Sequence, residues 1–287
     1  MAKNAKKRSG TLKIPNSILL AGKFLSFISL KFAMRFAARL FTTPIRHRLP
    51  KREIQMDAQS RQQRIAIPKI SREINIYEYG EGDKKILLVH GWSGRGTQLV
   101  KIADALLAEG YSIISFDAPA HGKSSGKTTL MPEFIESILE IEKIHGPFEA
   151  AVGHSLGGMS LLNAMRKGFY VKKLVTIGSG DIIKDIMDDF IRALRLQPEI
   201  SEMMRIFFER REGETMESYS SYIAAGKIDI PVLVIHDNDD ADVPVKCGIH
   251  IHKHLKNGSL KITKGLGHRK ILGDKEVIND IAEFIQH

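Results

Sequence analysis

The stretch Val152-Gly153-His154-Ser155-Leu156-Gly157-Gly158 sets the tightest limit on what this chain can fold into. Upstream, residues 148–152 form a short apolar run, as a buried strand would. Downstream, Leu156, Met159, Leu161, Leu162 and Met165 recur at the spacing of one helix face. Ser155 therefore stands at a tight strand-to-helix turn, in a strained backbone conformation that crowds out neighbouring side chains. Gly153 and Gly157, two residues to either side, make that turn sterically feasible. The helix that begins at the serine aims free N–H groups and a partial positive charge at any anion formed beside the hydroxyl. Such a turn suits acyl transfer. The alternative is a glycine-rich turn that merely contains a serine, and partners elsewhere in the chain bear on the choice.

The rest of the body keeps a strand-and-helix rhythm. Residues 64–70 and 74–79 alternate apolar and polar side chains, which predicts an antiparallel strand pair. Residues 85–89 (Lys-Ile-Leu-Leu-Val) are nearly all apolar, the mark of a strand buried on both faces. They end in the glycine-rich loop His90-Gly91-Trp92-Ser93-Gly94-Arg95-Gly96, ahead of a helix over 98–109. A strand at 111–116, a helix over 131–144 and a strand at 173–177 follow, then strands at 231–235 and 261–263 and a last helix over 275–285. Alternation at this spacing predicts a parallel sheet with helices on both faces. Residues 179–226 break the rhythm with helical patterning around Ile182, Ile186, Phe190, Leu194, Met203, Met204, Phe207 and Phe208. A length of 287 residues suits one α/β domain with extensions.

Charge divides the chain in two. Of 43 Lys/Arg, 13 lie in residues 1–52, which hold no Asp or Glu; the remaining 30 face 33 acidic residues. The body is thus slightly acidic, and no nucleic-acid partner is expected. A hydrophobic fraction of 43% supports a sizeable core but not a multi-span membrane protein. Cys247 is the only cysteine, which excludes an internal disulfide and a cysteine-based zinc site and suits a reducing, cytoplasmic compartment.

Within the arm, residues 1–13 are polar and basic and are expected to be disordered. Residues 18–41 are apolar and aromatic, with Lys23, Lys31, Arg35 and Arg39 spaced by multiples of four, so one helix here would carry a basic stripe. Lys23 interrupts a signal-peptide pattern, and Lys23 with Lys31 breaks any window long enough to span a bilayer. Two readings remain for residues 14–41: a peripheral helix on an anionic membrane surface, or a helix packed on the body. Thr43-Pro44 is expected to end that helix, and residues 45–60 read as a linker.

Three motifs taken together resemble the α/β-hydrolase superfamily over roughly residues 74–287: His90-Gly91-Trp92, then Asp117-x-x-x-His121-Gly122-x-Ser124, then Gly153-His154-Ser155-Leu156-Gly157. The resemblance implies an α/β-hydrolase fold in residues 61–287, with a small helical cap at about 180–226, behind an arm spanning 1–60. It also implies that backbone N–H groups of Trp92 and Leu156 bind an oxyanion, with His90, Gly91, Gly153 and Gly157 supporting the loops. His90 is then expected to orient its loop, and His121 to be structural. A serine hydroxyl is a poor nucleophile near neutrality, so it needs an imidazole to take its proton and a carboxylate to orient that imidazole.

The family's chain order of serine, acid, histidine implies a base at His268, in the loop Gly265-Leu266-Gly267-His268. Four aspartates compete for the acid in residues 236–244. Relatives place it four residues before the proline of Val243-Pro244, which points to Asp240, with Asp239 the runner-up and Asp237 and Asp242 as turn formers. A calcium loop would need a glycine and a distant glutamate that are missing here. His250 and His254 share a helix face without an evident third ligand. The resulting expectation is a carboxylesterase-type serine hydrolase acting through Ser155, Asp240 and His268 on a small ester, thioester or acyl substrate, with no metal or organic cofactor. Peptidase and lipase-like activities are rivals, and so is a catalytically silent ligand-binding protein of the same fold.

Overall fold

The computed structural model describes residues 14–287, so the basic stretch 1–13 and the expectation placed on it lie outside the described residues. The chain begins with helices α1 (Asn16–Ile28) and α2 (Leu30–Phe41), a 3-10 turn at Lys51–Glu53 and α3 (Ile54–Gln59). There follow β1 (Arg61–Ile67), β2 (Arg72–Tyr79), β3 (Lys85–Val89), α4 (Val100–Ala108), β4 (Ser112–Asp117) and α5 (Met131–His145). The central elements are β5 (Phe148–His154), α6 (Leu156–Arg166) and β6 (Val171–Ile177). Three helices, α7 (Ile183–Ala193), α8 (Glu199–Glu212) and α9 (Ser221–Ala225), are inserted before β7 (Val232–Asp237). The chain closes with α10 (Lys246–His254), β8 (Gly258–Thr263), the short α11 (Gly267–Lys270) and α12 (Lys275–Gln286).

The eight strands form one sheet in the order β1-β2-β4-β3-β5-β6-β7-β8. β1 and β2 pair antiparallel, β2 pairs antiparallel with β4, and every other neighbour is parallel. Alternate side chains of each central strand enter two different cores. Leu87 and Val89 of β3 pack with α5 and α6 on one face, while Ile86 and Leu88 join α4 and α12 on the other. Val232 and Val234 of β7 divide from Leu233 and Ile235 in the same way. A strand covered on both faces has no polar side to show, which is why these segments read as unbroken apolar runs. Chain order reverses between β3 and β5, and a cleft for ligands is expected where such neighbours diverge.

The arm differs from the single helix and linker of the sequence reading. It breaks at Ser29, which has an extended backbone and whose side-chain Oγ caps α2 by accepting a hydrogen bond from Lys31 N–H at 3.2 Å. The inner side of the α1–α2 hairpin buries Gly22, Ala33, Met34, Ala37 and Ala38. Phe41 lies edge-on to Phe190 at 5.1 Å and 6.0 Å from Phe208, so the hairpin packs on the inserted helices α7 and α8.

Residues 42–60 are a strap tied to the body rather than a free connection. Arg46 donates from Nε to the Ala120 carbonyl at 3.0 Å and from Nη2 to the Ser124 carbonyl at 2.7 Å. Ile45 N–H reaches Ser93 Oγ at 2.9 Å, and the buried Glu53 accepts from Thr97 Oγ1 at 2.9 Å.

Candidate active site

Ser155 takes φ 53° and ψ −120°, a conformation unfavourable for any residue with a Cβ. The turn is held from several sides. Ser155 N–H donates to the Ile177 carbonyl of the neighbouring strand at 2.9 Å. A Cβ on Gly153 would lie 2.6 Å from Gly158 N, and one on Gly157 would lie 2.2 Å from the Val89 carbonyl oxygen. Neither site has room for a methyl group, so the first turn of α6 can sit directly against the ends of β3 and β5.

Across that turn lies the loop after β3. A Cβ on Gly91 would meet Ser155 Cβ at 2.9 Å and His154 Nδ1 at 3.1 Å. Two buried imidazoles shape this loop. His90 donates from Nδ1 to the Gly91 carbonyl at 2.7 Å and accepts from Ala118 N–H at 3.0 Å. His121 donates from Nδ1 to the Pro119 carbonyl at 3.0 Å and accepts from Ser93 N–H through Nε2 at 3.0 Å. Each therefore needs to be neutral, and burial pushes His90 down to about 4 and His121 down to about 3. Gln98 Oε1 accepts Gly91 N–H at 3.1 Å. Trp92 stands edge-on to the His121 ring at 5.3 Å.

Asp117, which ends β4, is also spent on architecture. Its carboxylate accepts from Gly96 N–H at 2.7 Å, Lys123 N–H at 2.7 Å and the Tyr77 hydroxyl at 3.0 Å. Gly122 is required beside it, since a Cβ there would lie 2.2 Å from the carboxyl carbon.

The carboxylate that meets His268 belongs to Asp240. Asp240 Oδ2 accepts from His268 Nδ1 at 2.7 Å, while Oδ1 accepts from Asp242 N–H at 2.9 Å and Val243 N–H at 2.8 Å. Burial alone would raise the Asp240 pKa, but these donors, His268 foremost, outweigh it and hold the carboxyl below its ordinary value. Asp237 works one step further back. It accepts from Asp239 N–H, the Thr263 hydroxyl and Leu266 N–H, so it pins the loop carrying His268 to the loop carrying Asp240. His236, buried beneath, donates from Nε2 to the Val243 carbonyl at 2.9 Å.

Two contributors carried no signal that the sequence reading used. His154 donates from Nε2 to the His268 carbonyl at 2.9 Å, with the two rings 4.6 Å apart. Its position inside the serine motif was the available hint. Gly178 adopts φ +57°, and a Cβ there would lie 3.2 Å from His268 Nδ1 and 3.4 Å from Asp240 Oδ2. His250, by contrast, donates from Nδ1 to Asp181, whose other oxygen takes Tyr222 N–H, so it ties together the two ends of the inserted helices. Among the described residues no group of three or more His, Cys, Asp or Glu is placed to hold a metal ion.

Ser155, the glycine-rich loop after β3, Asp240 and His268 thus all follow the carboxyl ends of parallel strands. Asp240 and His268 are hydrogen-bonded, and no hydrogen bond joins the Ser155 hydroxyl to His268 among the described residues. The chain belongs to the alpha/beta hydrolase family, whose pattern matches residues 86–273. It is 22% identical over 294 residues to a 2-hydroxy-6-oxononadienedioate/2-hydroxy-6-oxononatrienedioate hydrolase of Pseudomonas putida, covering 82% of this chain and 99% of that one. Its fold is similar to that of an esterase from Pyrococcus furiosus, with a TM-score of 0.66 at 18% identity, covering 85% of this chain and 98% of the other. An esterase from Exiguobacterium antarcticum has a TM-score of 0.61 at 17% identity, over 76% and 97% of the two chains.

Proposed function

We propose that this protein is a serine hydrolase that cleaves a carboxylic ester or thioester through an acyl-serine intermediate. The observation that carries the reading is the Asp240–His268 bond at 2.7 Å, formed at the same carboxyl end of the sheet as the strained turn of Ser155. With Nδ1 committed to the carboxylate, His268 has Nε2 for the serine hydroxyl. In this reading Ser155 Oγ attacks the substrate carbonyl as its proton passes to His268 Nε2. The carbonyl oxygen becomes an oxyanion, which we assign to the N–H groups of Trp92 and Leu156. The neighbouring N–H groups of Gly91, Ser93 and Ser155 are already engaged. Collapse of the intermediate expels the alcohol or thiol, which takes the proton from His268. A water then repeats the sequence, yielding a carboxylic acid and free Ser155.

Asp240 keeps the required tautomer and stabilises the imidazolium, and its lowered pKa keeps it ionised for that purpose. The inserted helices α7–α9, docked on the core through Met187, Phe190 and Met204, would shape the acyl or leaving-group pocket with their remaining side chains. No helix among the described residues is long and apolar enough to cross a membrane.

The Pseudomonas putida relative favours a second reading. The substrate in its name carries a ketone in place of an ester, and the same oxyanion donors serve a ketone carbonyl. Hydrolysis would then break the carbon–carbon bond beside that ketone. A panel of acyl esters of graded length, acyl thioesters and a 6-oxo-dienedioate separates the two readings. Ser155→Ala should abolish turnover and fluorophosphonate labelling while the protein stays folded. Labelling retained at another residue would refute the assignment.

A further inference from the structure

The α1–α2 hairpin has a second face that the fold leaves uncovered. Leu20, Phe24, Phe27 and Ile28 recur at helical spacing along α1 and are 68%, 64%, 91% and 53% exposed. Phe32, half exposed at the start of α2, extends the stripe past the break at Ser29. Contiguous large apolar side chains in water mark a docking surface more often than an accident of folding. Lys23, Lys31, Arg35 and Arg39 are exposed on the same two helices. Residues 1–41 hold nine Lys/Arg and no Asp or Glu, whereas residues 53–287 carry fewer basic than acidic side chains.

We propose that this face docks the protein on an anionic lipid bilayer. The phenylalanines enter the boundary between headgroups and acyl chains, and the lysines and arginines meet the lipid phosphates. Charge argues against a second copy of this chain as the occupant, because a symmetric contact through the two helices would bring Lys23, Lys31, Arg35 and Arg39 against the same four cationic side chains. The helices lie in the surface plane, since none of those described is long and apolar enough to cross a membrane. The hairpin's inner face packs on the inserted helices, and the strap after α2 is bonded to Ser93 and Ala120 beside the candidate site. The docking surface and that site are therefore joined through ordered chain.

The test is co-sedimentation of the full chain with vesicles of phosphatidylcholine alone and of phosphatidylcholine mixed with phosphatidylglycerol, at low and high salt. The parent protein should partition onto the mixed vesicles, more weakly at high salt, and little onto the neutral ones. Phe24→Ser combined with Phe27→Ser should lower the partition coefficient about tenfold or more. Lys23→Glu combined with Lys31→Glu should remove the preference for the anionic vesicles. Circular dichroism and thermal midpoints confirm that both variants are folded. The proposal is overturned if the parent does not bind mixed vesicles at low salt, or if both folded variants bind as the parent does. It is equally overturned if the parent is a lipid-indifferent dimer that the phenylalanine substitutions make monomeric.

Discussion

His154 Nε2 donates a hydrogen bond to the backbone carbonyl of His268 at 2.9 Å, so the residue preceding the candidate nucleophile holds the loop of the candidate base. His154 is fully buried, and burial, reinforced by the nearby His268, pushes its pKa down to about 3, so the ring is neutral. With the proton on Nε2, Nδ1 carries a lone pair and has no hydrogen-bond partner among the described residues. His154→Ala removes the donor and frees the loop to shift. Since misplacement by an ångström can cost about 100-fold, kcat should fall roughly 10- to 100-fold while KM changes little. His154→Gln, which offers an N–H at similar reach, should recover most of the loss. Unchanged kcat in a folded His154→Ala enzyme would show that the bond is incidental.

Asp240 and Asp239 are adjacent in sequence, and the geometry separates them. Asp240 Oδ2 lies 2.7 Å from His268 Nδ1. Asp240→Asn keeps the size but replaces an acceptor with an amide that favours the wrong tautomer. The expected loss in kcat is about 10⁴-fold, leaving some catalysis from substrate binding and the oxyanion donors. Asp239→Asn should change kcat by less than about tenfold. Steady-state rates of the two variants on one activated ester decide the matter, and a reversed order would move the acid to Asp239.

How far the sequence could be read depended on where the interactions lie along the chain. The run at residues 85–89 betrayed its burial because both of its faces meet apolar cores, and β3 spans those same residues. The Gly-x-Ser-x-Gly turn was legible because its steric requirements are local: the clash partners of Gly153 are Gly157 and Gly158. Asp240 was singled out among four aspartates only through family resemblance, since nothing in its spacing says which carboxylate meets a histidine 28 residues later. The break at Ser29 was hidden because apolar residues continue at helical spacing through both halves of the arm. The strap was hidden for a different reason. Arg46 bonds backbone carbonyls 74 and 78 positions away, and a carbonyl carries no residue type for a pattern to record.

Gly178 tests how little room the dyad has. Its φ of +57° already disfavours a side chain, and a Cβ would sit 3.2 Å from His268 Nδ1 and 3.4 Å from Asp240 Oδ2. Gly178→Ala should cost about 1–3 kcal/mol of stability from backbone strain. Its effect on kcat should be larger than that loss implies, about tenfold or more at a temperature where the variant is fully folded. Denaturant unfolding and initial rates measured on the same preparation give both quantities. A stability loss without a rate loss would mean that the Asp240–His268 pair tolerates displacement.

Five buried imidazoles, those of His90, His121, His145, His154 and His236, are pushed down in pKa chiefly by burial and set the acid limit of the fold. Burial is the leading cause that lowers His90 to about 4, and His121 and His154 to about 3. In the unfolded chain each takes up a proton near its ordinary value of 6.5. Above that pH neither state gains a proton at these sites, and they leave stability unchanged. As pH falls from 6.5 toward 4, the unfolded state binds protons that the native state refuses, so stability drops. Each histidine contributes up to about 1.4 kcal/mol per pH unit in that interval. Asp240 acts in a different window, because a carboxyl with a depressed pKa loses its stabilising effect only as pH falls below about 4. Urea unfolding at about pH 5, 6 and 8 should therefore show a steep decline below about pH 6.5 and near-constancy above it. His121→Gln keeps an acceptor for Ser93 N–H but does not titrate, so it should reduce the slope by one proton's worth. A slope unchanged by that substitution would mean that His121 is charged in the native state or absent from the transition.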